Sequence, residues 1–323
     1  MTYSHNKRKS VIPFVLILIL IAIALVMVAL SAASLNKIRE GDPGFISNLW
    51  STKNAPADDP YLAGSPNALP VPPYVKTIMF LGSDYTPESG YRTDVMLLAA
   101  FNTRTGKINL MSFPRDLWVT IPGWMEQRLN TAQPHGGDQL LGDTLAYNFG
   151  FRPQHYAMVN FDGFQNIVRE LGGIDVEVTE HMEDACGHED TEWCAVEPGR
   201  QHMDEFKAMW YVRARKNTSD FDRTRRAQEV IQAIVKKALS PGRLAKLPGF
   251  IKVVRENVQM SFKLNELWIY ALPLSRFLQD DLVATYRLSP NEASSYTTDG
   301  GASVLLPNTP AILEILKQVF WIN

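Results

Sequence analysis

The chain is predicted to be an α/β protein: a layered α-β-α domain with a mixed central sheet, preceded by one N-terminal transmembrane helix. Three observations predict this. Near the start lies a long apolar run without charge; a proline-rich stretch follows it; and from residue 74 to 323 short runs rich in Ile, Val, Leu and Met alternate with segments of helical spacing.

Residues Val11 to Leu30 carry no charge, and none appears again until Lys37. That length crosses a bilayer core as a helix. Lys7, Arg8 and Lys9 precede the run, so the positive-inside tendency places residues 1–10 in the cytoplasm and everything after the helix at 11–33 outside. The expected location is therefore the cell membrane, with a single-pass signal-anchor and an extracytoplasmic domain. A cleavable signal peptide is the alternative, with Ser31-Ala32-Ala33 as its site, although its apolar region would be unusually long. Residues 34–73 hold seven of the twenty prolines and no sustained apolar period, as in an extended spacer.

Beyond the spacer, Lys76 to Leu81, Asp94 to Phe101 and Lys107 to Phe113 read as buried strands, and Thr105-Gly106 as the turn of a hairpin between the second and third. Leu140 to Phe149 is helical in spacing after the Gly136-Gly137-Asp138 breaker, and Ala157 to Phe161 is strand-like. Gly163 to Leu171 is a helix closed by Gly172-Gly173, followed by the alternating strand Ile174 to Val178. Helices are expected at Asp204 to Tyr211, Arg223 to Leu239, Asn265 to Phe277 and Pro310 to Phe320. Strands are expected around Val283 to Leu288 and Ser303 to Leu306. Interleaving of this kind builds a mixed sheet covered on both faces.

The formal net charge of -2 gives no basis for bulk nucleic-acid binding, so no nucleic-acid partner is expected. The two cysteines, Cys186 and Cys194, share a loop whose length suits a disulfide outside the membrane. A metal site is the alternative, since His181, His188 and His202 lie nearby, but the spacing fits no familiar zinc pattern.

Local charge is less ordinary. Between Tyr211 and Gln228 stand Arg213, Arg215, Arg223, Arg225 and Arg226, with Asp220 and Asp222 among them. One reading is a solvated helix face laced with ion pairs; the other is a phosphate site, because guanidinium forks match phosphate oxygens and stay charged. On a helix Arg223 and Arg226 share a face while Arg225 points elsewhere, and Arg213 and Arg215 share one only in extended chain. The first strand ends in Gly82-Ser83-Asp84, and the second begins at Arg92-Thr93-Asp94. Ligands of layered sheets sit off such strand ends. Asp84 and Asp94 could hold a Mg²⁺ ion together with substrate phosphate, or serve only in a turn and an ion pair. If the hairpin forms, Arg115 returns to the same end, free to join the site or simply to pair with Asp94 or Asp116.

This combination resembles the LytR-CpsA-Psr family, once named for cell-envelope-related transcriptional attenuation. The matching motifs are G-S-D at 82–84, R-T-D at 92–94, S-F-P-R-D at 112–116, I-P-G at 121–123, R-L-N-T-A at 128–132 and the following His135-Gly136-Gly137. V-N-F-D-G-F at 159–164, L-G-G-I-D-V at 171–176, Y-V-R-A-R at 211–215 and D-F-D-R-T-R-R-A-Q at 220–228 complete the set. The resemblance implies an extracytoplasmic phosphotransferase that moves a glycopolymer from a polyprenyl pyrophosphate carrier to a peptidoglycan acceptor. It implies that Asp84 and Asp94 bind Mg²⁺ at the pyrophosphate, that Arg92, Arg115, Arg213, Arg215 and Arg223 contact its oxygens, and that Asp220 positions the arginines. Arg226 is added to this set from its helix face. An apolar tunnel between sheet and helices is expected for the lipid tail. A non-catalytic carrier-binding protein, a pyrophosphatase and a transcriptional attenuator are the rival readings. Two positions depart from the family pattern: Asp222 where it usually has Gly, and Ala227 where it usually has Gln.

Overall fold

The computed structural model describes residues 59–63, 65–84, 92–188, 191–214, 220–262, 266 and 283–322. The expected cytoplasmic tail at 1–10, the transmembrane helix at 11–33, much of the spacer and the helix expected from Asn265 to Phe277 lie outside the described residues. Among the described residues no helix is long and apolar enough to cross a membrane.

Strands β1 (Val75–Ser83), β2 (Thr93–Asn102) and β3 (Ile108–Ser112) form an antiparallel meander. The turn between β2 and β3 is where the sequence predicts it. Asn102 Oδ1 accepts from the backbone N–H groups of Arg104 and Thr105, and Gly106 takes φ of 74°, a left-handed conformation that a β-carbon would strain. A third β-hairpin strand pair, β4 (Trp118–Thr120) with β5 (Glu126–Arg128), leads into α1 (Ala132–Phe149). The breaker at Gly136 and Gly137 divides this span: both glycines leave the helical conformation (Gly137 φ 64°, ψ −162°), so a short helical turn precedes the helix expected from Leu140, and the two together are α1.

Strand β6 (His155–Asn160) lies parallel to β1, and α2 (Phe161–Glu170) starts directly from it, capped by Asn160 Oδ1 accepting from the Gly163 N–H. Next come β7 (Ile174–Val178), β8 (Met182–His188), β9 (Thr191–Val196) and β10 (Gly199–Met203). The alternating strand predicted at Ile174 to Val178 is present, but it pairs with β10 in a separate two-stranded sheet. Helices α3 (Glu205–Arg213), α4 (Asp220–Ala238) and α5 (Leu247–Asn257) follow, then β11 (Val258–Met260), β12 (Val283–Arg287), β13 (Ala293–Thr297), β14 (Ser303–Pro307) and α6 (Thr309–Val319). Strand β11 adds antiparallel to β6 and β12 adds parallel to β3. The six-stranded order is β11-β6-β1-β2-β3-β12, a mixed sheet as predicted.

Side chains alternate across this sheet, which explains the layers. Met79, Leu81, Met96, Leu98 and Met111 pack on Leu141, Leu145 and Phe149 of α1 and on Ile312, Leu316 and Val319 of α6. Ile78, Leu97, Ala99, Phe101, Ile108 and Leu110 face the other way, toward Ile231 and Val235 of α4. Pairing of Ser83 with Asn160 and of Arg287 with Ser112 brings the ends of four strands and the start of β2 to one edge.

Candidate functional site

That edge carries the charged residues. Asp84 and Arg92 clasp the two ends of the β1–β2 connection: Arg92 N–H donates to Asp84 Oδ1 at 2.6 Å, Arg92 Nη2 pairs with Oδ2 at 3.2 Å, and Asp84 N–H donates to the Arg92 carbonyl at 3.2 Å. Arg92 remains 63% exposed, so its guanidinium retains access to a ligand. One residue into β2, Asp94 Oδ1 accepts from Arg115 Nη1 at 2.7 Å. The hairpin thus returns Arg115 to the carboxylate end of the sheet. Asp116 holds the other side of that guanidinium, with Oδ2 at 3.2 Å from Arg115 Nε, while its Oδ1 lies 3.0 Å from Arg128 Nε. Asp116, which the sequence offered only as a pairing partner of Arg115, and Arg128, given no role there, both border the site. The Asp beside Arg115 in S-F-P-R-D was the available signal.

The arginine-rich segment divides in the structure. Arg213 ends α3, its guanidinium carbon 4.6 Å from the centre of the Phe161 ring. Arg223 lies in the first turn of α4. Both line a cavity of about 410 Å³ together with Ser83, Asp94 and Arg115. Away from this polar end the cavity is apolar, bounded by Phe80 and Phe101 of the sheet and by Ile231, Val254 and Phe262. An elongated apolar ligand with an anionic head group matches that division.

Arg225 turns away, pairing with Glu229 at 3.1 Å and bonding to Thr179. The expectation that Arg226 joins the anion site needs correction. Arg226 is 1% exposed and absent from the cavity wall; its Nη2 donates to the Ala214 carbonyl at 2.6 Å and its Nη1 to the Met182 sulfur at 3.0 Å. Helical spacing put it beside Arg223, but the Ala214 carbonyl at the end of α3 and the Met182 sulfur of β8 take up its donors. Burial lowers its pKa, a direction that Tyr211 and Asp222 oppose. Arg215 and the side chain of Asp220 lie outside the described residues.

Ala227 also lines the cavity, so the departure from the family pattern leaves a methyl group at the wall. Cys186 and Cys194 form a disulfide across the β8–β9 hairpin, with Cα atoms 5.5 Å apart, and neither lines the cavity. Among the described residues no cluster of three or more His, Cys, Asp or Glu side chains could cage a metal. Asp84, just past β1, and Asp94, in β2, are ion-paired to Arg92 and Arg115, and their carboxylate oxygens are of the kind a hard cation takes together with water and phosphate.

A scan against protein families matches the LytR_cpsA_psr family model over residues 73–320. Regulatory protein MsrR of Staphylococcus aureus (strain COL) is 30% identical over 182 residues, which are 55% of this chain and 54% of MsrR. The probable cell wall biosynthesis protein LcpB of Corynebacterium glutamicum is 36% identical over 154 residues, 47% of this chain and 36% of LcpB. The chain thus spans about half the length, or less, of these curated relatives. Among solved structures, TagV of B. subtilis superposes with a TM-score of 0.65 at 22% identity, over 77% of this chain and 98% of TagV. TagT bound to LIIa-WTA superposes with a TM-score of 0.62 at 24% identity, over 76% of this chain and 90% of TagT. Those likenesses establish the fold, and the family match over most of the chain establishes kinship: this protein belongs to the LytR_cpsA_psr family.

Proposed function

We propose that this protein is a membrane-anchored, extracytoplasmic phosphotransferase that moves a glycopolymer from a polyprenyl pyrophosphate carrier to peptidoglycan, with Mg²⁺ held beside the pyrophosphate. The observation that carries the reading is the cavity itself, lined mostly by apolar side chains and bordered at the sheet edge by Asp94, Arg115, Arg213 and Arg223. A relative in B. subtilis is named polyisoprenyl-teichoic acid--peptidoglycan teichoic acid transferase TagV, which is the same class of reaction.

In this reading the isoprenoid tail lies between sheet and helices, and the two phosphates meet the guanidinium groups at the sheet edge. An acceptor hydroxyl attacks the phosphorus nearer the glycan. The new P–O bond forms as the bond to the bridging oxygen breaks, the glycan phosphate passes to the acceptor, and polyprenyl phosphate leaves; the hydroxyl proton passes to solvent or a nearby base. Arg115, oriented on both sides by Asp94 and Asp116, presents donors without reorganisation, and Arg213 is steadied by the Phe161 ring. Asp84 and Asp94 would hold Mg²⁺, which supplies charge neutralisation at the phosphate oxygens. Positioning and electrostatics suffice for phosphoryl transfer, with little covalent chemistry asked of the protein.

Asp94→Ala and Arg115→Ala in purified full-length protein are expected to lower transfer from a lipid-linked donor by about 100-fold or more. Continued turnover by both variants would exclude this assignment of the site, and absence of turnover in the wild type would leave a carrier-binding protein.

A further inference from the structure

The β4–β5 hairpin ends in an exposed tryptophan. Trp124 N–H donates to the Ile121 carbonyl at 3.1 Å and Ile121 N–H to the Met125 carbonyl at 2.9 Å, so the tip is a closed turn. The indole stacks on His135, ring centres 3.9 Å apart and planes inclined by 31°, yet Trp124 is 41% and Met125 51% exposed. His135 Nδ1 is 2.8 Å from the Thr131 carbonyl oxygen. The turn that holds Thr131 is itself bonded to the site: Asn130 N–H donates to the Arg115 carbonyl at 3.2 Å, and the Asn130 carbonyl accepts from the Thr93 hydroxyl at 3.2 Å. A chain of contacts therefore fixes an exposed aromatic face relative to Arg115 and Asp94.

The side of the sheet on which it stands matters. The cavity lies on the α4 face, whereas Val119 and Ile121 of the hairpin and Leu141 of α1 pack into the core on the opposite face. In an in-line displacement the attacking and leaving oxygens lie on opposite sides of phosphorus. A lipid phosphate leaving on the cavity side puts the incoming hydroxyl on the hairpin side.

We propose that Trp124, backed by His135, is a stacking platform for a pyranose ring of the acceptor glycan. This rests on the transferase reading for the identity of the acceptor. The C–H face of a pyranose is apolar and its rim is polar, which suits a half-exposed indole beside a charged site. Fixing that ring at a rigid turn would orient its hydroxyl toward the phosphorus.

The test uses full-length protein in detergent, sedimented with purified lipid-free peptidoglycan. Trp124→Ala is expected to weaken binding about tenfold, with Trp124→Phe retaining most of it and Trp193→Ala, at a distant exposed tryptophan, leaving it unchanged. Glycan strands stripped of peptide should compete. In transfer assays Trp124→Ala should raise KM for the acceptor, with KM for the lipid donor unmoved. Equal binding by wild type and Trp124→Ala, absence of binding by wild type, or competition by stem peptide alone overturns the platform. Absence of turnover in wild type with the binding pattern intact overturns the transferase reading instead and leaves a glycan-binding platform.

Discussion

The two faces of the central sheet are built from the same kind of strand and end differently. On one, Met79, Leu98 and Met111 meet Leu145, Phe149 and Leu316, each no more than 1% exposed, and the interface is filled. On the other, residues of equal hydrophobicity border a cavity of about 410 Å³. Close packing is the norm for protein interiors, so a hollow of this size beside a completed core marks a place kept for a ligand. The filled interface lies on the α1/α6 face, and the cavity on the α4 face. The same division runs through the arginine-rich segment, where Arg225 and Arg226 satisfy the protein's own groups while Arg213 and Arg223 reach the cavity.

The largest effect expected from this difference is on the filled face. Phe149→Ala removes a ring that is 0% exposed and 5.9 Å from Phe113, and should cost about 3–5 kcal/mol in denaturant unfolding. Arg226→Ala comes next, at ~2–4 kcal/mol, because it strips a donor from the Ala214 carbonyl at the end of α3. Ile231→Ala, at the cavity wall, should cost only ~1 kcal/mol, since the side chain has empty space on one side and loses fewer contacts. Should Ile231→Ala prove as costly as Phe149→Ala, the two faces are equivalent in solution and the hollow closes there.

Much of this was legible in the chain because it depends on local signals. Short apolar runs located the strands of the meander, Thr105-Gly106 located its turn, and the turn returned Arg115 to Asp94. What was not legible depends on contacts distant in sequence. Periodicity puts Arg226 on the face of Arg223, but only the fold brings the Ala214 carbonyl and the Met182 sulfur against its guanidinium. The alternating pattern at Ile174 to Val178 specifies a half-buried strand without naming its partner, and the partner is β10 rather than the central sheet. Likewise Trp124 and His135, eleven residues apart across β5 and a helix start, become neighbours only in the folded hairpin.

The smallest effect concerns a charge cluster away from the cavity. Asp175 on β7 accepts from His202 at 2.9 Å, lies 3.2 Å from Arg200 and 3.3 Å from Lys237, and carries no role at the site. The hydrogen bond from His202, followed by those from Arg200 and Lys237, outweighs desolvation and holds its pKa at about 2. A carboxylate whose folded pKa lies below its unfolded value of about 3.9 stabilises the protein fully above that unfolded value. The contribution then fades as pH falls through about 2. Asp175→Asn should therefore lower stability by ~1 kcal/mol or less near neutral pH, because the cluster is partly exposed to solvent and screened. It should flatten the stability profile between roughly pH 4 and 2. Transfer activity near neutral pH should be unchanged, since Asp175, Arg200, His202 and Lys237 do not line the cavity. An unfolding series at several pH values in which the variant and wild type run parallel would show that the pairing has no weight in solution. The comparison would then narrow to packing alone as what separates the two faces.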